Sequence, residues 1–121
     1  MRRRAVTTLF AAAFLAACNP LAASPKDQIV GRWESESWKI ANQPLFAQFN
    51  ADGHVLYMND RGSTGRAEWM MLDSGDLQIT YPAGFSRKCK AQFQDKYIKL
   101  TPMTCFYGWD GMGEFTVLTK Q

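Results

Sequence analysis

The sequence predicts an all-β domain, a small antiparallel β-barrel of about eight strands, with a two-sheet sandwich as the alternative. Three observations predict it. From Ile29 onward apolar residues recur at every second position, the period of a half-buried strand. Clusters of Gly, Pro, Asn, Asp and Ser fall between the alternating runs as turn signals. No stretch after the N-terminal segment carries the period of a long amphipathic helix. Short successive strands joined by tight turns form a meander, and closing eight of them removes the exposed edges that invite aggregation.

The strands are expected near 29–40, 45–50, 54–59, 66–72, 77–81, 87–94, 97–101 and 113–119. In the first, Gly31 and Trp33 share one parity while Trp38 and Ile40 share the other. That change of phase predicts a bulge or sharp bend around Ser35 to Ser37. The turns Asn50-Ala51-Asp52-Gly53, Asp60 to Gly65, Asp73 to Asp76, Pro82-Ala83-Gly84 and Gln94-Asp95-Lys96 separate the later strands. Leu77, Ile79 and Tyr81 form one inward set, and Cys89, Ala91 and Phe93 another. Ile98 and Leu100 follow, then Phe115 and Val117 in the last strand. The basic run Arg87, Lys88 and Lys90 reads as a solvated strand face, with contact to phosphate or lipid headgroups as the alternative.

The first seventeen residues belong to a different element. Arg2, Arg3 and Arg4 precede an uncharged apolar run from Ala5 to Ala17, the layout of a bacterial secretion signal. A membrane-spanning helix needs about 20 apolar residues, more than this run supplies. Leu15-Ala16-Ala17-Cys18 resembles the lipobox of bacterial lipoproteins. That resemblance implies cleavage before Cys18, lipidation of its thiol and acylation of its new amino group. Asn19 is not the aspartate that retains such proteins at the inner membrane of enteric bacteria, so the expected address is the periplasmic face of the outer membrane. The expected organisation is a signal peptide over 1–17, the lipidated cysteine and a flexible tether containing Pro20 and Pro25 over 18–27, and one barrel domain over 28–121.

Removing the leader changes the charge. The chain has 14 basic and 11 acidic side chains, and three of the basic ones are Arg2 to Arg4, so the mature protein is balanced. A clustered basic surface for nucleic acid is not expected. With Cys18 spent on lipid, Cys89 and Cys105 form an even pair in an oxidising compartment, which favours a disulfide. Free thiols or a metal site are the alternatives, and two cysteines with one distant histidine make a poor zinc site.

Ile29-Val30-Gly31-Arg32-Trp33 resembles the Gly-x-Trp opening of the lipocalin and avidin superfamily. Phe49-Asn50-Ala51-Asp52-Gly53 resembles the Phe-x-x-Asp-Gly hairpin of small bacterial lipocalin-like domains. The resemblance implies a calycin-type barrel in which Gly31 and Trp33 are structural and Trp33 packs across the closed end. Lipocalins pair that tryptophan with an arginine near the last strand, and no arginine follows Arg87. The chain is also shorter than a lipocalin, which implies a small cavity.

Function rests on fewer residues. The loop from Pro102 to Gly113 combines Phe106, Tyr107, Trp109 and Met112 with Gly108, Gly111 and Gly113. It reads either as a plug for one barrel end or as a rigid aromatic epitope. His54, the single histidine, has no nucleophile beside it in sequence and reads as the surface start of a strand. Glu34 and Glu36 read as solvent-exposed. Arg61 to Arg66 reads as a hairpin loop, with an anion cradle of backbone amides as the alternative. Met70 and Met71 are expected to straddle the core and the outer surface. No catalytic set, metal site or cofactor motif is expected. Two functions remain, both non-catalytic. The first is binding of a small apolar or amphipathic ligand at a barrel mouth near Trp38, Trp69, Tyr107 and Trp109. The second is binding of a periplasmic protein, for example as an inhibitor or immunity lipoprotein directed at a wall-degrading enzyme.

Overall fold

A computed structural model describes residues 24–40, 42–102, 105–107, 109 and 115–121. The signal segment, Cys18 and Met112 lie outside the described residues. One helical turn, α1 (Pro25–Ile29), precedes eight strands: β1 (Gly31–Ile40), β2 (Gln43–Phe49), β3 (His54–Met58), β4 (Thr64–Met71), β5 (Asp76–Thr80), β6 (Ser86–Gln94), β7 (Tyr97–Thr101) and β8 (Thr116–Lys120). Each strand pairs antiparallel with the next, and β8 returns to β1 through Trp33↔Lys120 to Ser35↔Leu118, closing the barrel.

Four of the hairpins use the same turn. Asn50, Asn59, Leu72 and Tyr81 each donate their amide to the carbonyl four residues on, and accept from the glycine three residues on. Those glycines, Gly53, Gly62, Gly75 and Gly84, have φ between +79° and +98°. This is the three-residue hairpin loop that needs a left-handed residue before the returning strand. The predicted turn clusters therefore mark real turns. In the Asp60–Gly65 segment, the Asn59 side-chain oxygen accepts from the amides of Arg61 (2.9 Å) and Ser63 (3.0 Å). These amides are bonded within the loop, which removes the anion-cradle alternative.

The predicted bulge is present. β1 pairs with β2 in one register from Gly31 to Glu34 and in another from Lys39 to Ile40. Between them, the buried Ser35 hydroxyl accepts from the amides of Ser37 (3.2 Å) and Trp38 (2.9 Å), satisfying donors that the ladder has released. Glu34 and Glu36 are less free than expected: Glu34 pairs with Arg32 Nε at 2.9 Å, and Glu36 accepts from the Thr119 hydroxyl at 3.1 Å.

Three expectations are corrected. The tether was expected to run to Asp27, but the chain is helical from Pro25, because proline's fixed φ suits the first helical position and Ser24 caps the Asp27 amide. In β8 the inward residues are Thr116 and Leu118, while Phe115 and Val117 face out; Leu118 pairs between Ile98 and Ser35, which sets the phase. Arg87 does not share the outer face of Lys88 and Lys90. It pairs with buried Ile79 and shares the parity of Cys89, so its side chain runs along the barrel end.

The closed end around Trp33 is built from α1, the head of β1 and the end of β8. The Trp33 indole donates to the Ile29 carbonyl at 2.8 Å and is buried. Lys120 lies above its ring at 5.4 Å and donates to the Gln28 carbonyl at 2.9 Å. Gly31, at φ +133°, leaves room for it: a Cβ there would stand 2.9 Å from the Lys120 side chain. The cation over the Trp33 ring is thus the lysine at the end of β8. Lys120→Met, which keeps the stem and removes the ammonium, is expected to lose about 1–2 kcal/mol in urea unfolding, and Lys120→Arg much less.

Candidate functional site

The turns between β1 and β2, β3 and β4, and β5 and β6, together with the loop between β7 and β8, lie at the end of the barrel opposite α1. Cys105, Phe106 and Trp109, the buried described residues of the segment between β7 and β8, close that end. Cys89 and Cys105 are disulfide-bonded with Cα atoms 5.4 Å apart, fixing the start of the loop to β6. The Tyr81 hydroxyl donates to the Cys105 carbonyl and accepts from the Tyr107 amide at 2.7 Å. The Trp109 indole donates to the Met58 carbonyl at 2.6 Å. Three strands therefore hold the loop: β6 by a covalent bond, the end of β5 through Tyr81, and β3 through Met58.

These contacts divide the aromatic residues into two groups. Phe106 and Trp109 are fully buried, with ring centroids 4.6 Å apart, and Phe106 packs against Tyr57 (5.3 Å) and Phe49 (6.0 Å). They are the plug. Tyr107 points the other way, 52% exposed, beside Phe85, 42% exposed. The Arg87 guanidinium lies 5.3 Å from the Tyr107 ring and 5.8 Å from the Phe85 ring, and Phe85 stacks on Tyr81 at 4.9 Å. The result is an aromatic–arginine platform on a covalently fixed base. Burial pushes the Tyr57 phenol above its usual pKa, against an opposing effect from the nearby positive Arg87.

The residues expected to share a mouth are not together. Trp69 is buried on the other side of the core, its indole donating to the Asn50 carbonyl at 2.9 Å and its ring edge-on to Phe49. Trp38 is exposed on the bulged part of β1. Tyr107 is the one residue of the expected set at the platform. Met70 is exposed and Met71 packs on the core, as expected. Phe85 and Arg87 were missed; the signal was available in Arg87, which alternates in phase with Cys89, Ala91 and Phe93.

The barrel axis is filled. Trp33, Phe49, Phe106, Trp109 and Leu45 are all at most 1% exposed, and Gly65 lies so close to the Tyr57 ring that a Cβ there would come within 2.5 Å of it. The clefts lie on the outer surface. One of about 320 Å³ is bordered by His54, Arg66, Glu68, Thr80 and Tyr81, and one of about 250 Å³ by Lys26, Gly53, Trp69 and Met70. His54 starts β3 at the surface, as expected. Its amide donates to Asp52 at 3.0 Å, and this bond holds the Asp52 carboxyl below its usual pKa. Among the described residues no three His, Cys, Asp or Glu side chains gather as a metal site. No protein-family model matches the chain, and no curated protein matches it at a significant level.

Proposed function

We propose that this chain is a membrane-anchored periplasmic lipoprotein of lipocalin-like design, non-catalytic, which binds a protein partner through the Phe85–Arg87–Tyr107 platform. The observation that carries the choice of partner is the filled barrel. An internal small-molecule site needs a cavity of a few hundred cubic ångströms, and Phe106 and Trp109 stand where its mouth would be. A protein partner needs instead rigid aromatic and arginine side chains whose exposed area is already ordered. Tyr107 and Phe85 meet that need because the disulfide and the Tyr81 hydroxyl fix the backbone beneath them. The lipocalin-like reading draws support from the meander order, from Trp33 at the head of β1 and from the Lys120 cation over its ring. A wall-degrading enzyme held in check by an immunity or inhibitor lipoprotein is a partner of the proposed kind.

The test is affinity. The partner captured by the wild-type protein from a periplasmic extract is purified, and its Kd is compared for wild type and the Phe85→Ala/Tyr107→Ala double variant. Two central residues of this kind are expected to account for roughly a hundredfold in Kd, with thermal stability nearly unchanged because both side chains are exposed. Unchanged affinity in a folded double variant would remove the platform from the account.

A further inference from the structure

The outer face of the β6–β7 hairpin carries lysine at four positions: Lys88 and Lys90 on β6, Lys96 in the turn and Lys99 on β7. Among the described residues none of the four lies within salt-bridge distance of a carboxylate. Asp76, opposite Lys90 in the ladder, and Asp95, in the turn, offset half of that charge. Apolar surface sits between these lysines. Tyr97, Phe115 and Val117 are all more than a third exposed, an unusual concentration for one side of a small domain. Lys99 Nζ lies 4.3 Å above the Phe115 ring, and Lys96 Nζ lies 5.8 Å from the Tyr97 ring. Between β6, β7 and β8 runs an open groove of about 690 Å³, bordered by Phe93, Tyr97, Lys99 and Val117.

The position of this face relative to the anchor is as informative as its composition. α1 joins the barrel beside the β6–β7 turn, because Lys120 donates its side chain to Gln28 and its amide to the Lys96 carbonyl at 2.8 Å. Upstream of Ser24 only residues 19 to 23 separate the fold from Cys18. Fully extended, the six steps from Cys18 to Ser24 reach about 20 Å. A domain held that close to a bilayer must present one side to the headgroups.

Resting on the proposal that Cys18 is lipidated, we infer that the β6–β7 face, with Phe115 and with Val117 of β8, lies against an anionic lipid surface. The four ammonium groups meet lipid phosphates, and Tyr97 and Phe115 sit at headgroup level, where amphipathic and aromatic side chains are favoured. Docked in this way, the barrel lies on its side. The Phe85–Tyr107 platform, at the end away from α1, stays open to a partner.

Lysine footprinting tests this. The acylated protein, purified from bacterial membranes, is reconstituted in phosphatidylcholine vesicles with or without phosphatidylglycerol, and exposed lysines are modified with an N-hydroxysuccinimide ester. Each docked lysine is expected to contribute about fivefold to the anionic preference. Lys88, Lys90, Lys96 and Lys99 should therefore be protected about fivefold or more in anionic vesicles, and Lys39 should not. The protection should vanish in 0.5 M salt, where screening is severe, while the protein stays bound to the vesicles. Equal reactivity in both vesicle types, with the protein still bound, would overturn the docking and leave the anchor standing. Protection in cell envelopes but not in vesicles would overturn it in favour of a protein on this face. A mature protein whose mass carries no acyl chains would overturn the docking and the lipid anchor together.

Discussion

Replacing Trp109 by alanine is expected to destabilise the domain by about 3–5 kcal/mol, the cost of emptying a fully buried aromatic site. The indole is 0% exposed, packs tilted against Phe106 and donates to the Met58 carbonyl. Its removal leaves both a cavity at the barrel end and an unpaired backbone acceptor. In a domain of about 100 residues whose whole stability is roughly 5–15 kcal/mol, a fall in Tm on the order of 15 °C or more follows. Trp109→Phe separates the two effects, since it keeps most of the apolar volume and loses the N–H. Thermal melts of the two variants check this. A Trp109→Ala protein as stable as wild type would mean that the indole is not the plug. Any loss of partner binding in Trp109→Ala is therefore expected to follow from unfolding, unlike the loss expected for the Phe85 and Tyr107 variants.

Removing the disulfide has the next largest effect. Cys89 and Cys105 are 16 residues apart, and in the chain-entropy account the loss of such a closed loop costs about 3 kcal/mol. The Cys89→Ala/Cys105→Ala double variant is expected to lose that amount in urea unfolding. Its effect should also be smaller than additive with Trp109→Ala, because the two hold the same loop against the same barrel end. Additive losses would show that the crosslink and the plug act independently. The variant should weaken partner binding too, since Tyr107 follows Cys105 by two residues and its position depends on where that backbone is held.

Much of the barrel was legible because the physics that builds it is local. Alternation in Leu77, Ile79 and Tyr81, or in Ile98 and Leu100, fixes which face of a strand is buried, and a glycine three residues into four of the turns marks those hairpins. The change of parity between Trp33 and Trp38 located the bulge. β8 was misread because Phe115 and Val117 outweigh Thr116 and Leu118 on a hydrophobic count. Which side faces inward is decided by cross-strand neighbours, Ile98 and Ser35, which local pattern cannot supply. The α1 turn was legible in Ser24-Pro25-Lys26-Asp27, a cap followed by proline, and was passed over because the prolines suggested a linker.

The site was less legible for a related reason. An aromatic loop between glycines has no period, so nothing local distinguishes Phe106, which is inside, from Tyr107, which is outside. Phe85 joins Tyr107 only through the fold, across 22 residues of chain. Lys120 escapes a pattern that asks for arginine, although a lysine has enough reach to cover Trp33 and bond the Gln28 carbonyl.

The central claim is that the protein works through the outside of one barrel end and not through its interior. Site-specific photo-crosslinking in living cells tests it most directly, with the photoreactive residue placed in turn at positions 85, 107, 39 and 70, all exposed. One discrete adduct of common mass is expected from positions 85 and 107, and none from 39 or 70. Adducts from 39 or 70 with none from 85 and 107 would contradict it.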